Sequence, residues 1–263
     1  MRLEMDTDFF ALPVPRVIAH RGVSAHYPEN TIAAFSAARD LGIPYVELDV
    51  HMTRDGEIVV THDENLRRVG GHDGVVRELT FAELAQVDAG RNFSRDSLRF
   101  PFRGSGLRVP RLAQVLEVVR GQRLVIEVKQ ENPSLIEPML RVIDRAGMRR
   151  RVLVASEQQT PIDEVRALAP ELPTGFTYRE VAGFMAALAP GAEPYQPRGD
   201  ALQIPPEYES WRIVTSESVA AAHRIGVEVH VWTVNAAAAM SAMLELGVDG
   251  VITDYPTRLL ALL

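Results

Sequence analysis

Short apolar runs alternate along this chain with longer segments whose apolar positions recur at helical spacing. The runs read as buried strands and the longer segments as amphipathic helices. A first strand is predicted over 17–20, then a helix over 31–41 with Asn30 as its N-cap and Gly42 just past its end. The second strand spans 45–50. Beyond it, Asp55-Gly56 lies between alternating residues and signals a two-residue hairpin turn. That turn would pair Arg54 with Glu57, Thr53 with Ile58 and, further down, Asp49 with His62. Residues 64–110, rich in Gly and Arg, break the rhythm and carry one short helix signal capped by Thr80. They read as a small insertion covering the site mouth, within one domain over 1–263.

From 109 onward the alternation resumes. Strands are predicted over 123–129, 151–155, 174–177, 201–204, 227–234 and 250–253. Helices are predicted over 112–119, 133–146, 162–168, 180–188, 217–225, 236–246 and 257–262. Setting the hairpin aside, eight βα units favour an α/β fold of the TIM (β/α)8 barrel type. No glycine-rich dinucleotide fingerprint follows the first strand, which weakens the open doubly wound alternative. Reacting groups of such barrels sit at the C-terminal strand ends. His20, Glu47, Asp49, Glu127, Lys129 and Trp232 all fall there.

Composition narrows the classes. A length of 263 residues suits one barrel, and 46% apolar with 24% charged residues describes an ordinary globular chain. The net charge of −7 and the lack of a long Lys/Arg run argue against a nucleic-acid partner. Arg149-Arg150-Arg151 reads as a solvated helix end. With no cysteine, disulfides and thiolate metal sites are excluded. The N-terminal stretch, MRLEMDTDFFALPVPR, lacks the pattern of a secretory leader, and no apolar run approaches the ~20 residues of a membrane span. The expectation is a cytoplasmic protein without stable membrane insertion.

Candidate chemistry concentrates between Val17 and Asp63. Residues two apart on a strand share a face, so Glu47 and Asp49 project together. Paired carboxylates repel unless one is protonated or a cation lies between them, and an all-oxygen pair suits a hard divalent ion such as Mg²⁺ or Ca²⁺. Glu127 and Lys129 repeat the spacing on the next barrel strand. A structural Lys–carboxylate network at the rim is the bland reading; three converging carboxylates favour a metal. His20 and His62 flank the carboxylates, and imidazoles can both accept and donate a proton near neutral pH. His51 could approach the site, and His230 reads as a barrel-interior residue. His26, His72 and His223 read as surface or loop residues. Glu29 is either a first-turn carboxylate or a contact with metal or substrate.

His20-Arg21-Gly22, Pro28-Glu29-Asn30-Thr31, Glu47-Leu48-Asp49-Val50, Thr53-Arg54-Asp55-Gly56 and His62-Asp63 occur in an order and spacing that resemble the glycerophosphodiester phosphodiesterase family. The run from Gly247 to Pro256 resembles its C-terminal signature. The resemblance covers nearly the whole chain, with a thin middle: Ala155-Ser156-Glu157-Gln158 departs from the family's paired serines and Phe, and the 190s match nothing in it. It implies Glu47, Asp49 and Glu127 as ligands of one divalent cation, Mg²⁺ or Ca²⁺ with Mn²⁺ possible. It implies Arg21 and Lys129 on phosphate oxygens and Trp232 as a wall for the substrate. The expected reaction splits a small-molecule glycerophosphodiester into glycerol 3-phosphate and an alcohol. Two alternatives are a lysophospholipase D-type relative, which needs an apolar groove or membrane-facing surface, and a silent barrel that only binds phosphorylated ligands.

Overall fold

The computed structural model describes residues 7–263; the first six residues of the stretch read for a leader lie outside them. In chain order come β1 (Arg16–His20), α1 (Ile32–Asp40), β2 (Tyr45–Met52), β3 (Ile58–Val60), α2 (Arg67–Gly70), α3 (Phe81–Leu84) and α4 (Leu112–Val118). Then follow β4 (Arg123–Val128), α5 (Ile136–Arg145), β5 (Val152–Ala155), α6 (Gln159–Leu168), α7 (Tyr178–Ala186), β6 (Ala201–Ile204), β7 (Glu207–Tyr208) and β8 (Trp211–Arg212). The chain ends with α8 (Ser216–Arg224), β9 (Glu228–Val231), α9 (Ala237–Glu245), β10 (Gly250–Thr253) and α10 (Pro256–Leu260).

The strands β5-β4-β2-β1-β10-β9-β6 are neighbours in one parallel sheet. Parallel bridges Val154↔Thr174 and Gly175↔Ala201 join its two edges and close the ring. The fold is a TIM barrel. Its predicted fifth strand shrinks to these two single-residue bridges. Apolar side chains facing the helices, among them Val46, Leu48, Leu124, Val154 and Val229, form the outer core. Inside the ring, Ile18, Tyr45, Val125, Leu153 and Ile252 pack with Phe9, which is fully buried and edge-on to Tyr45. The N-terminal segment thus fills the end of the barrel away from the strand C-termini.

Arg16 anchors that end. Its Nε and Nη2 donate to both oxygens of Glu228 at 2.7 and 2.6 Å, and its Nη1 donates to Tyr45 Oη and the Leu12 carbonyl. His230, fully buried as the barrel-interior reading expects, lies 3.0 Å from the same carboxylate. Burial alone would raise the Glu228 pKa; bonds from Arg16 and His230 hold it down at about 2. A carboxylate depressed on folding contributes stability above its unfolded value, and that contribution is lost as pH falls through the folded value. Glu228→Gln is therefore expected to cost about 3 kcal/mol at pH 7, by leaving Arg16 uncompensated. Urea midpoints would show it. They should also show a smaller loss of stability between pH 5 and pH 2 in the variant than in the parent.

Two local expectations change. The hairpin runs one residue out of the predicted register: Val50 pairs with Val60 and Met52 with Ile58. Gly56 takes a left-handed φ of 84°, and Thr53 N–H donates to the Glu57 carbonyl, so the loop has three residues, 54–56. Asp49 consequently lies across from Thr61, whose N–H it accepts, and not from His62. Thr31, not Asn30, caps α1, its hydroxyl accepting from Ala34 N–H. Within 64–110, Thr80 does cap α3 in a reciprocal box with Glu83. Leu66, Val76, Leu84, Val87 and Val109 pack there around Val59. None of the helices among the described residues is long and apolar enough to cross a membrane.

Candidate active site

The turn after β1 sets up the site. Arg21 has φ 55° and Gly22 φ 84°, so the chain reverses sharply at the strand end. A Cβ on Gly22 would lie 2.7 Å from the Ala34 backbone, which leaves room for glycine alone. The turn aims the Arg21 N–H at Glu47 Oε2, 3.0 Å away. Its guanidinium donates to Glu29 Oε1 at 2.8 Å, and Nε lies 3.2 Å from Asp49 Oδ2 without a hydrogen bond. Asn30, also left-handed at φ 56°, is buried and donates to Asp49 Oδ2 at 2.8 Å. Its Oδ1 accepts from the Asp49 N–H at 3.5 Å, so both ends of the amide are turned to Asp49 and not to the start of the helix.

Parallel register brings the acids to one level. His20 pairs with Glu47, and Asp49 with Glu127. Ligand atoms of Glu47, Asp49 and Glu127 lie within 4.8 Å of one another. Burial, then the charge of Asp49, pushes the Glu47 pKa up to about 8. Burial raises Glu127 as well, opposed by Lys129. Lys129 Nζ donates to Glu127 Oε1 at 2.6 Å and lies 3.4 Å from Asp49 Oδ1, and these charges hold it protonated against its burial. Asp49 Oδ1 is buried yet accepts no hydrogen bond. Three clustered oxygen donors, one with an orphaned buried atom, fit a hard divalent cation.

Each candidate histidine is held by a carboxylate. His20 Nδ1 lies 2.6 Å from Asp254 Oδ1, and Asp254 also accepts from Ser24 Oγ and Asn235 Nδ2, both at 2.7 Å. Burial alone would lower the His20 pKa; Asp254 and the charge of Glu47 more than offset it, and the net shift is upward. Asp254 is depressed to about 2, the bonds from His20, Ser24 and Asn235 outweighing its burial. His62 Nδ1 lies 2.7 Å from Asp63 Oδ1. Arg68, from α2, donates through Nε to Asp63 Oδ2 and through both terminal nitrogens to Glu29, each at 2.7 Å. One arginine thus links the partner of His62 to the partner of Arg21. Glu29 is occupied by these two arginines and does not join the acidic cluster. His51 is buried with Nε2 3.1 Å from the His62 carbonyl, so it approaches the site through the backbone.

His20, Arg21, Glu47, His62, Glu127 and Lys129 line one cavity of about 710 Å³, with Trp232 on its wall. Asp49 lies behind them, inaccessible to solvent. The chain matches the glycerophosphoryl diester phosphodiesterase family over residues 20–258, a span that includes every one of these positions. It belongs to that family. A glycerophosphodiester phosphodiesterase of Caldanaerobacter subterraneus subsp. tengcongensis is 33% identical over 253 residues, covering 94% of this chain and 96% of the relative. An Oleispira antarctica phosphodiesterase, solved in complex with the product sn-glycerol-3-phosphate, superposes with a TM-score of 0.78 at 26% identity, covering 94% of this chain and 96% of that one. A glycerophosphodiester phosphodiesterase of Agrobacterium tumefaciens C58 superposes at 0.74, also 26% identical, over 94% of this chain and all of that one. For this glycerophosphoryl diester phosphodiesterase family member, Asp254, Ser24 and Arg68 were not singled out from sequence. Asp254 had a usable signal: it follows the last strand, and closure of a barrel sets that strand beside the first.

Proposed function

We propose that this family member hydrolyses glycerophosphodiesters to glycerol 3-phosphate and an alcohol, using one divalent cation and the His20–His62 pair. The observation that carries this reading is the convergence, in one cavity, of two carboxylate-held imidazoles, an arginine and a three-carboxylate cluster. Glu47, Asp49 and Glu127 would hold the cation, which when bound supplies charge to offset the negative phosphoryl group in the transition state. Arg21 and Lys129 orient the remaining phosphate oxygens and stabilise charge developing on them.

The two imidazoles differ in what their carboxylates do. Asp254 is bound otherwise by the neutral donors Ser24 and Asn235, so its charge favours the imidazolium of His20. Asp63 shares its charge with Arg68, which leaves less for His62. This difference supports His20 as the acid that protonates the departing alkoxide and His62 as the base that takes the proton of the attacking oxygen. In both rings Nδ1 faces the carboxylate, leaving Nε2 for the substrate. A silent barrel is disfavoured, since none of the proposed groups is replaced.

Glycerol 3-phosphate release from glycerophosphocholine, glycerophosphoethanolamine and glycerophosphoglycerol tests the reading. Release is expected to vanish on chelation and to return with Mg²⁺, Ca²⁺ or Mn²⁺. Undiminished release in chelator would remove the metal from the proposal. No release from any diester, with the cation bound, would end it.

A further inference from the structure

Residues 64–110 contribute no side chain to the lining of the catalytic cavity. What they bring to the site is Arg68, and their local fold presents it. α2 is a single turn, seated through Leu66 on the small core that Val76, Leu84 and Val87 make around Val59. At its start Asn65 Oδ1 accepts from the Arg67 N–H. From further along the insertion, Asn92 Nδ2 donates to the Arg67 and Arg68 carbonyls at 3.2 and 3.0 Å, and its N–H donates to the Val69 carbonyl. The backbone under Arg68 is thus fixed on both sides, although the side chain itself is half exposed.

The guanidinium uses its whole fork. Nε donates to Asp63 Oδ2, while Nη1 and Nη2 donate to Glu29 Oε2 and Oε1, each at 2.7 Å. The other oxygen of Asp63 faces His62 Nδ1, and Glu29 Oε1 also accepts from Arg21 Nη1. Arg68 therefore stands outside the cavity and touches both carboxylates that hold groups inside it. Burial would raise both carboxyls; in each, hydrogen bonds from Arg68 are the largest opposing influence, and the net shift is downward. A planar fork can serve two carboxylates at once, which an ammonium, as a point charge, does poorly.

We infer that Arg68 is a positioning residue that sets the base and the phosphate anchor together. It draws the charge of Glu29 away from Arg21, freeing that guanidinium for phosphate. It draws the charge of Asp63 away from His62, leaving the imidazole free to accept a proton. The inference rests on the phosphodiesterase reading above and adds a residue to it. Two guanidiniums on one oxygen repel each other, so each weakens the other's hold on Glu29. Because one rigid group carries both links, it also fixes the distance between His62 and Arg21. The insertion then acts as a buttress for this bridge.

Arg68→Gln is the test, with Arg67→Gln beside it. Arg67 lies in the same turn and pairs with the exposed Asp73, so the control makes the same charge change without touching the bridge. Arg68→Gln is expected to raise KM roughly fivefold, a usual size of coupling within one ionic network. It should lower kcat at the pH optimum about tenfold or more, through misplacement of His62. The acidic limb of the kcat profile should move to higher pH, since Asp63 then acts on His62 undivided. The other groups around His62 keep their charges in the variant: His51 behind it on β2, and the cavity-lining His20, Arg21, Glu47, Glu127 and Lys129. Arg67→Gln should leave KM, kcat and limb as in the parent. Glu29→Gln added to Arg68→Gln should return KM toward the parental value without restoring the limb, because it unloads Arg21 and leaves Asp63 as it was. Titration of the His62 ring protons by NMR reads the same link without turnover, with a higher midpoint expected in Arg68→Gln. Parental KM and limb in Arg68→Gln, or the same changes in Arg67→Gln, would overturn the inference and leave the phosphodiesterase reading standing. Absence of cleavage of every diester by the parent would overturn the reading beneath it, and the His62 midpoint would still decide for or against the link through Asp63.

Discussion

Replacing His20 with alanine is expected to lower kcat by about 10²- to 10⁴-fold, the usual contribution of one positioned acid or base. Binding should change far less, because the phosphate is held by other groups. The informative companion is Asp254→Asn. Asp254 lies 2.6 Å from His20 Nδ1 and helps raise its pKa against the opposing effect of burial. Removing the negative charge lets His20 lose its proton at a lower pH. If His20 is the acid, the alkaline limb of the kcat profile therefore moves toward lower pH in Asp254→Asn, and the acidic limb, set by the base, stays in place. A shift of the acidic limb instead would exchange the roles of His20 and His62. Unchanged limbs in a weakened enzyme would reduce Asp254 to a structural partner.

The second large effect concerns the acidic cluster. Glu47→Gln is expected to lower kcat about 10³-fold by removing one cation ligand, a loss comparable with that of a principal electrostatic stabiliser. The same residue predicts a stability effect independent of turnover. In metal-free protein its pKa stands at about 8, raised by burial and by Asp49 from an ordinary 4.5. A carboxyl raised on folding opposes folding once the unfolded chain ionises it. Metal-free protein should therefore lose stability as pH rises from about 4.5 through 8, by an amount on the order of a few kcal/mol. Urea midpoints in chelator at pH 5 and pH 8 would show the loss. Added Mg²⁺ should restore the pH 8 midpoint in the parent and do much less in Glu47→Gln. A midpoint indifferent to cation in the parent would sink the metal assignment whatever the kinetics show.

Much of this molecule is written locally. Alternation of apolar runs and helical segments specifies eight βα units, because strand and helix periods differ and each buries its own apolar face. Period two along β2 puts Glu47 and Asp49 on one face, and period two along β4 does the same for Glu127 and Lys129. Gly22 is explained by its left-handed φ and by its close approach to the Ala34 backbone, both of which are tertiary facts. Tertiary structure decided the rest. Parallel register levels Glu127 with Asp49, and ring closure sets Asp254, at the far end of the chain, beside His20. Hairpin register turned on Asp55, which does not share the positive φ of Gly56 that a two-residue turn needs at both positions, and that shifted every pair by one residue. Asn30 has the chemistry of a helix cap, but a buried carboxylate had the stronger claim on its amide. Arg68 joins Asp63 to Glu29, which lies 39 residues before Arg68 in the chain. Local pattern determines elements and the faces they present; which faces meet is set by closure and packing, and the candidate site is made of such meetings.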